Sequence, residues 1–166
     1  MHVFPDLAGV QRRIYDRLLV LRFPVSEFSL WPRIAKTFVD APPPFSQEVI
    51  EIFTKKAKPH ALQCFYRSCM NGLPTTARLH IVDTRPCIFG CVGSKDEFAH
   101  YWVSCPRLHE AMSANGCRIV ADPCLYLACI YTIYTSCSRL PSPISARRLR
   151  EFVIAARKAH TTKRSS

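Results

Sequence analysis

Glycine is the first shortage, with five residues in 166. The chain has no G-x-x-x-x-G-K, no G-x-G-x-x-G and no G-x-S-x-G. That excludes the phosphate-cradling loops of nucleotide enzymes and the nucleophile elbow of serine hydrolases. H-E-x-x-H is absent too, and with it the paired-histidine helix of zinc peptidases. An enzyme is therefore not expected. Long apolar runs are also lacking. "CLYLACIYTIYTSC" at 124–137 has 14 residues, where a membrane span takes about 20. Its tyrosines and threonines mark a core helix, so no membrane is expected as a partner. The start, "MHVFPDLAGVQRR", does not follow the basic, apolar, small-residue order of a secretory signal. Nine cysteines is an odd number, and together these features point to a reducing compartment, nuclear or cytoplasmic, with most thiols free.

What the chain does have is apolar residues at helical spacing. Leu7, Val10, Ile14, Leu18 and Leu21 form one such stripe, and the fold class expected is mostly α, with small helical domains and one structural zinc loop. Three segments follow from the punctuation. Residues 1–45 form an N-terminal helical segment ending in the proline-rich linker "APPPF", since consecutive prolines favour extended chain. Residues 46–116 form a helical region containing the zinc loop. Residues 117–166 hold the apolar helix and a basic C-terminal helix.

Within these segments the spacing predicts a helix from Ser46 to about Lys58, broken by Pro59, and a second closed by Asn71-Gly72. Thr75 or Thr76 is expected to cap a short helix. "RLHEAMSANG" should form another, closed by Asn115-Gly116. Pro123 suits the first turn of the apolar helix. Ser142 and Pro143 suit the N-cap and first position of the last helix, whose inner stripe would be Leu149, Phe152, Val153 and Ala156.

Net charge is +11, and its distribution is uneven. Residues 117–166 hold nine basic and two acidic side chains, while 83–116 hold three and four. The candidate phosphate contacts are Arg147, Arg148, Arg150, Arg157, Lys158, Lys163 and Arg164, with Arg147 partly occupied by Glu151 one turn on. A solvated helix face with a basic tail explains the same residues, and sequence leaves both readings open.

The densest chemistry lies in "PCIFGCVGSKDEFAHYWVSCP", residues 86–106. Cys87, Cys91, His100 and Cys105 have the spacing C-x3-C-x8-H-x4-C, four thiolate or imidazole ligands of the kind a structural zinc takes. Gly90 supplies the backbone freedom of a tight cysteine turn. Phe98 and Trp102, one turn apart, would face the core and leave His100 toward the metal. In a regular helix Cys105 would lie about 140° from His100. The helix must therefore loosen before Cys105, and Pro106 disfavours the helical region for the residue before it. Buried thiols plus one satisfied histidine is the competing reading. With four protein ligands and one zinc ion no position stays open, and three thiolates leave the cluster at −1, so it is expected to be a clip that does not itself attract phosphate. Asp96 and Glu97 lie inside the loop without any deaminase pattern. Cys64, Cys69, Cys117, Cys124, Cys129 and Cys137 are expected to be core thiols.

"LPTTARLH", "CIFGC" and "EFAHYWVSCP" together resemble the zinc-binding segment downstream of the polymerase in non-LTR (LINE-type) retrotransposon reverse transcriptases. The resemblance covers about residues 60–106. It implies Cys87, Cys91, His100 and Cys105 as ligands and Leu73-Pro74-Thr75 as packing elements. It departs from that family in having no Asp-Asp dipeptide and no room for fingers and palm. The resemblance thus implies a fragment of a retroelement protein and not an active polymerase; with the basic residues, the expected partners are RNA or DNA, bound without strong sequence preference, and a polymerase or another retroelement protein. A structural or protein-interaction module, or a remnant without function, is the alternative.

Overall fold

A computed structural model of the chain describes Phe38 and residues 46–161. The N-terminal helical segment, Lys163 and Arg164 lie outside the described residues. The described part is mostly helical. Five α-helices, α1 (Gln47–Lys56), α2 (Pro59–Cys69), α3 (Pro106–Ala114), α4 (Pro123–Cys137) and α5 (Ala146–Thr161), are joined by one π-helical turn, His100–Ser104. The only pairing of extended backbone among the described residues is one antiparallel bridge, Pro86 to Lys95.

Local chemistry explains most of the boundaries. Ser46 caps α1 by accepting from the Val49 N–H, with Glu48 in the first turn and Lys55 and Lys56 in the last, the polarity a helix dipole favours. α1 ends two residues before the expected Lys58, because Lys58 takes the extended backbone that Pro59 requires and becomes the N-cap residue of α2. Asn71 closes α2 in the left-handed region at φ 50°. Asp122 caps α4 through the Leu125 N–H at 2.9 Å, with Pro123 in the first turn.

Two expected caps act differently. Thr75 Oγ1 does accept from the Arg78 N–H at 3.2 Å, but the chain makes only a turn there, and His80 at φ 54° reverses it. Ser142 does not cap α5. Its hydroxyl donates to the Ile88 carbonyl, as does the Ile144 N–H at 3.1 Å. That ties residues 142–144 along the cysteine loop, and Ser145 caps α5 through the Arg148 N–H at 3.3 Å.

α4 is the central element. α2 and α5 pack against it, α1 touches it, and α3 packs against α5. Leu127, Ala128, Cys129, Ile130, Ile133, Tyr134 and Cys137 are all buried, and the helix's polar side is limited to Thr132, Thr135 and Ser136. Leu127, Ile130 and Ile133 contribute about 1.5–3 kcal/mol each when fully buried. α2 lies close enough for Ser68 Oγ to donate to the Leu127 carbonyl at 3.0 Å. Among the described residues no helix is long and apolar enough to cross a membrane. The six cysteines expected in the core are buried free thiols. Burial pushes Cys124 and Cys137 up to about 12, which makes them poor nucleophiles.

The least apolar point of this interior is Asp96, which is fully buried. One carboxylate oxygen accepts from Tyr101 Oη at 2.6 Å and the other from Arg85 Nε at 2.8 Å and the Thr76 N–H at 2.9 Å. Tyr134 Oη of α4 adds a bond at 2.9 Å, and Arg85 also reaches Tyr134 Oη and the Ser138 carbonyl. Burial alone would raise this carboxyl's pKa, but the bonds from Tyr101, Thr76, Arg85 and Tyr134 outweigh it and hold the group below its ordinary range.

Replacing Asp96 removes the acceptor of two tyrosine hydroxyls and of two N–H groups, those of Thr76 and Arg85 Nε, and with it the counter-charge of the Arg85 guanidinium. Asp96→Ala is expected to lower stability by about 3 kcal/mol at neutral pH, read as a shift in the urea midpoint. Because the folded pKa is depressed, the difference between wild type and variant is fully present above the ordinary value of 3.8. It should shrink as pH falls from there through the lower folded value.

Candidate metal centre

The cysteine loop is built on a short antiparallel pairing. Asp96 N–H donates to the Arg85 carbonyl and Cys87 N–H to the Ser94 carbonyl, each at 2.9 Å. Between these rungs the chain turns back at Gly90, whose N–H donates to the Cys87 carbonyl at 2.9 Å. Gly90 has φ +85°, and a Cβ there would lie 2.7 Å from Arg107 Nη1 and 2.8 Å from Pro143 Cβ. Only glycine meets both conditions. Ile88 and Phe89, between the first two cysteines, are buried, and Phe89 meets the Tyr101 ring edge-on at 5.4 Å.

His100 and Cys105 come from the other side of the loop. The helix loosens between them, as the sequence requires. His100–Ser104 is a π-helical turn, and Cys105 takes extended backbone at φ −78°, ψ 97° before Pro106 opens α3. A π-turn adds one residue per turn, bringing residues five apart toward one side. Phe98 and Trp102 point inward as expected, both buried, with Phe38 edge-on against them at 5.5 and 5.3 Å. The turn is tied to the body by Tyr101, which bonds Asp96 and accepts from the Ile88 N–H at 3.3 Å.

The result is a four-residue cluster. One ligand atom from each of Cys87, Cys91, His100 and Cys105 lies within 4.8 Å of all the others. Cys87 Sγ and Cys91 Sγ stand 3.9 and 3.6 Å from Cys105 Sγ. A tetrahedral ion with metal–thiolate bonds of about 2.3 Å, the distance in zinc sites, places two sulfurs about 3.8 Å apart. His100 completes the set. Its Nδ1 pairs with Ser104 Oγ at 3.1 Å, while Nε2 is buried without a partner. That is the division of labour of a ligating histidine, with one nitrogen on the metal and the other on an outer partner.

The protonation pattern of the cluster fits a cation site. The Cys105 thiol, together with the N–H groups of Cys91 and Phe89, pulls Cys87 down to about 4 despite burial. Cys105 is raised in turn by its bond to Cys87 and by burial; burial also raises Cys91. Three thiols this close share protons that a divalent ion would displace. The N–H groups of Arg107 and Leu108, in the first turn of α3, favour the thiolates of Cys91 and Cys105 and offset part of the negative charge.

The basic residues are distributed differently. Arg147, Arg148, Arg150, Arg157 and Lys158 are all exposed on α5, opposite or beside the buried stripe of Leu149, Val153, Ala156 and His160; Phe152 is half-buried at its edge. Arg147 pairs with Glu151 at 3.7 Å, both well exposed. Arg157 has a structural task as well. Its Nη1 donates to the Asn115 carbonyl at 2.6 Å, over Gly116 at the end of α3. Arg107 of α3 lines the groove that also holds Arg150, with Glu110 beside them. Sequence reasoning missed Arg107, which sits alone in the chain, and missed Ser104, which the four-residue step from His100 could have revealed. Compared with protein-family models, curated proteins and solved structures, the chain gives no match.

Cys91→Ala should lose one equivalent of bound metal relative to wild type when both are purified under reducing conditions and assayed by mass spectrometry. Gly90→Ala should keep all four ligands yet bind at least tenfold more weakly in a chelator competition. Equal metal content in wild type and Cys91→Ala would contradict the site.

Proposed function

We propose that this chain is a retroelement-derived module in which Cys87, Cys91, His100 and Cys105 hold one structural zinc ion and α5 binds RNA or DNA without strong sequence preference. Zinc suits the donor set, because three thiolates and one imidazole on a tetrahedron are a common structural zinc environment. With four protein ligands no position remains for water or substrate, so the ion in the cysteine loop does no chemistry of its own. The ion stiffens the loop against which residues 142–144 lie, and those residues lead directly into α5.

The observation that carries the nucleic-acid reading is the exposed basic face of α5, with Arg107 from α3 extending it. Leu73 and Thr75 are buried and Pro74 is exposed, and the next residue, Thr76, donates its N–H to Asp96 inside the loop. The Leu-Pro-Thr element thus packs around the loop, which agrees with the resemblance to the retrotransposon segment.

Titrating a labelled single-stranded RNA and its DNA equivalent at several salt concentrations tests the proposal. Binding is expected in the micromolar range or tighter at low salt and should fall steeply as salt rises. Replacing Arg147, Arg148 and Arg150 together by Gln should weaken it at least tenfold. The log–log salt slope should drop by about 2, at about 0.7 per contact on a single strand. Absent or salt-insensitive binding, or a triple variant equal to wild type, would favour the protein-interaction or remnant reading.

A further inference from the structure

We propose that His60, Cys64 and His160 form a second metal site, of His2Cys composition, which takes one divalent cation of the zinc type with water in its fourth position and pins the end of α5 to α2. The inference stands apart from the cysteine loop and from the nucleic-acid reading.

His60 and Cys64 are four residues apart on α2 and so share one face. His160 enters from the last turn of α5, and the two imidazole rings lie nearly parallel with centroids 5.3 Å apart. A ligand atom of each of the three residues is within 4.8 Å of the other two. Cys64 Sγ is 3.8 Å from His60 Nε2, and a tetrahedral zinc would hold such a sulfur and nitrogen about 3.6 Å apart. Cys64 lies among two imidazoles and a hydroxyl.

That hydroxyl belongs to Thr132 of α4, whose Oγ1 is 3.4 Å from Cys64 Sγ and 2.9 Å from His160 Nε2. In the tautomer in which His160 Nε2–H donates to this hydroxyl, the hydroxyl's own proton goes to the Ala128 carbonyl, 3.2 Å away, or to the sulfur. His160 Nδ1 then keeps its lone pair, and that nitrogen is buried without a partner. His160 as a whole is only 6% exposed. An orphaned ring nitrogen at that depth, with the other nitrogen held by an outer hydroxyl, repeats the arrangement seen at His100.

His60 is exposed, which gives an ion a path in and leaves room for a water on the outer side. Lys58 Nζ also donates to the Ala159 carbonyl at 3.4 Å, so the two helix ends meet at this place.

The test uses the full chain under reducing conditions, equilibrated with micromolar free Zn²⁺ and assayed for bound zinc. Wild type should hold two equivalents. His60→Ala changes an exposed side chain, so its fold should be retained, as circular dichroism will check; it should hold one. Affinity for the second ion should fall at least about a hundredfold, since even outer partners of ligands are worth 10- to 100-fold. Cys64→Ala should also hold one equivalent. Cobalt added to zinc-free wild type should show tetrahedral bands for a second ion that His60→Ala lacks. Wild type that binds no more zinc than His60→Ala and Cys64→Ala overturns the proposal, whatever the occupancy of the cysteine loop.

Discussion

A carboxylate can stay ionised inside a protein only if the groups around it replace the water it has lost. Asp96 meets that condition by drawing in four partners from four places. Thr76 belongs to the turn after α2, Arg85 to the arm leading into the cysteine loop, Tyr101 to the π-turn, and Tyr134 to the central helix. Each partner makes its own local segment dock. The loop that carries the metal ligands is thus fixed to the helical body by a polar knot of exacting geometry, with aromatic packing around it.

The metal cluster depends on this docking. Tyr101 sits next to His100, so the bond that holds Tyr101 to Asp96 also sets how the π-turn faces the two cysteines of the loop. Gly90 and Pro106 solve the remaining problems of backbone shape, one by tolerating positive φ and the other by forcing Cys105 out of the helix. An ion would add a second, independent constraint on the same loop, and in small zinc-dependent folds that constraint is worth on the order of 10 kcal/mol. In this chain the helices have a core of their own, so the ion's effect should be concentrated on the loop and on the start of α5 that lies along it.

Much of this was legible in the sequence because it rests on short-range rules. Ser46, Pro59, Asn71, Pro106 and Pro123 mark helix ends by chemistry that acts over three or four residues. The ligand set, the inward turn of Phe98 and Trp102 and the break before Cys105 follow from helical angles. Other features depend on distant partners. Ser142 and Ser145 are equally good caps, and the choice between them is made by the carbonyl of Ile88, far back in the chain. Asp96 reads as one more surface acid in "SKDEF", because its partners are Thr76, Arg85, Tyr101 and Tyr134. Cys64 reads as a core thiol, since nothing local indicates that His160 lies beside it.

The central claim is that Cys87, Cys91, His100 and Cys105 close around one ion. X-ray absorption at the zinc edge tests it most directly, on the full chain carrying His60→Ala so that the loop site is observed by itself. The account predicts about three sulfurs near 2.3 Å and one nitrogen near 2.0–2.1 Å, with no coordinated water. A first shell dominated by oxygen, or one with two sulfurs or fewer, would contradict it.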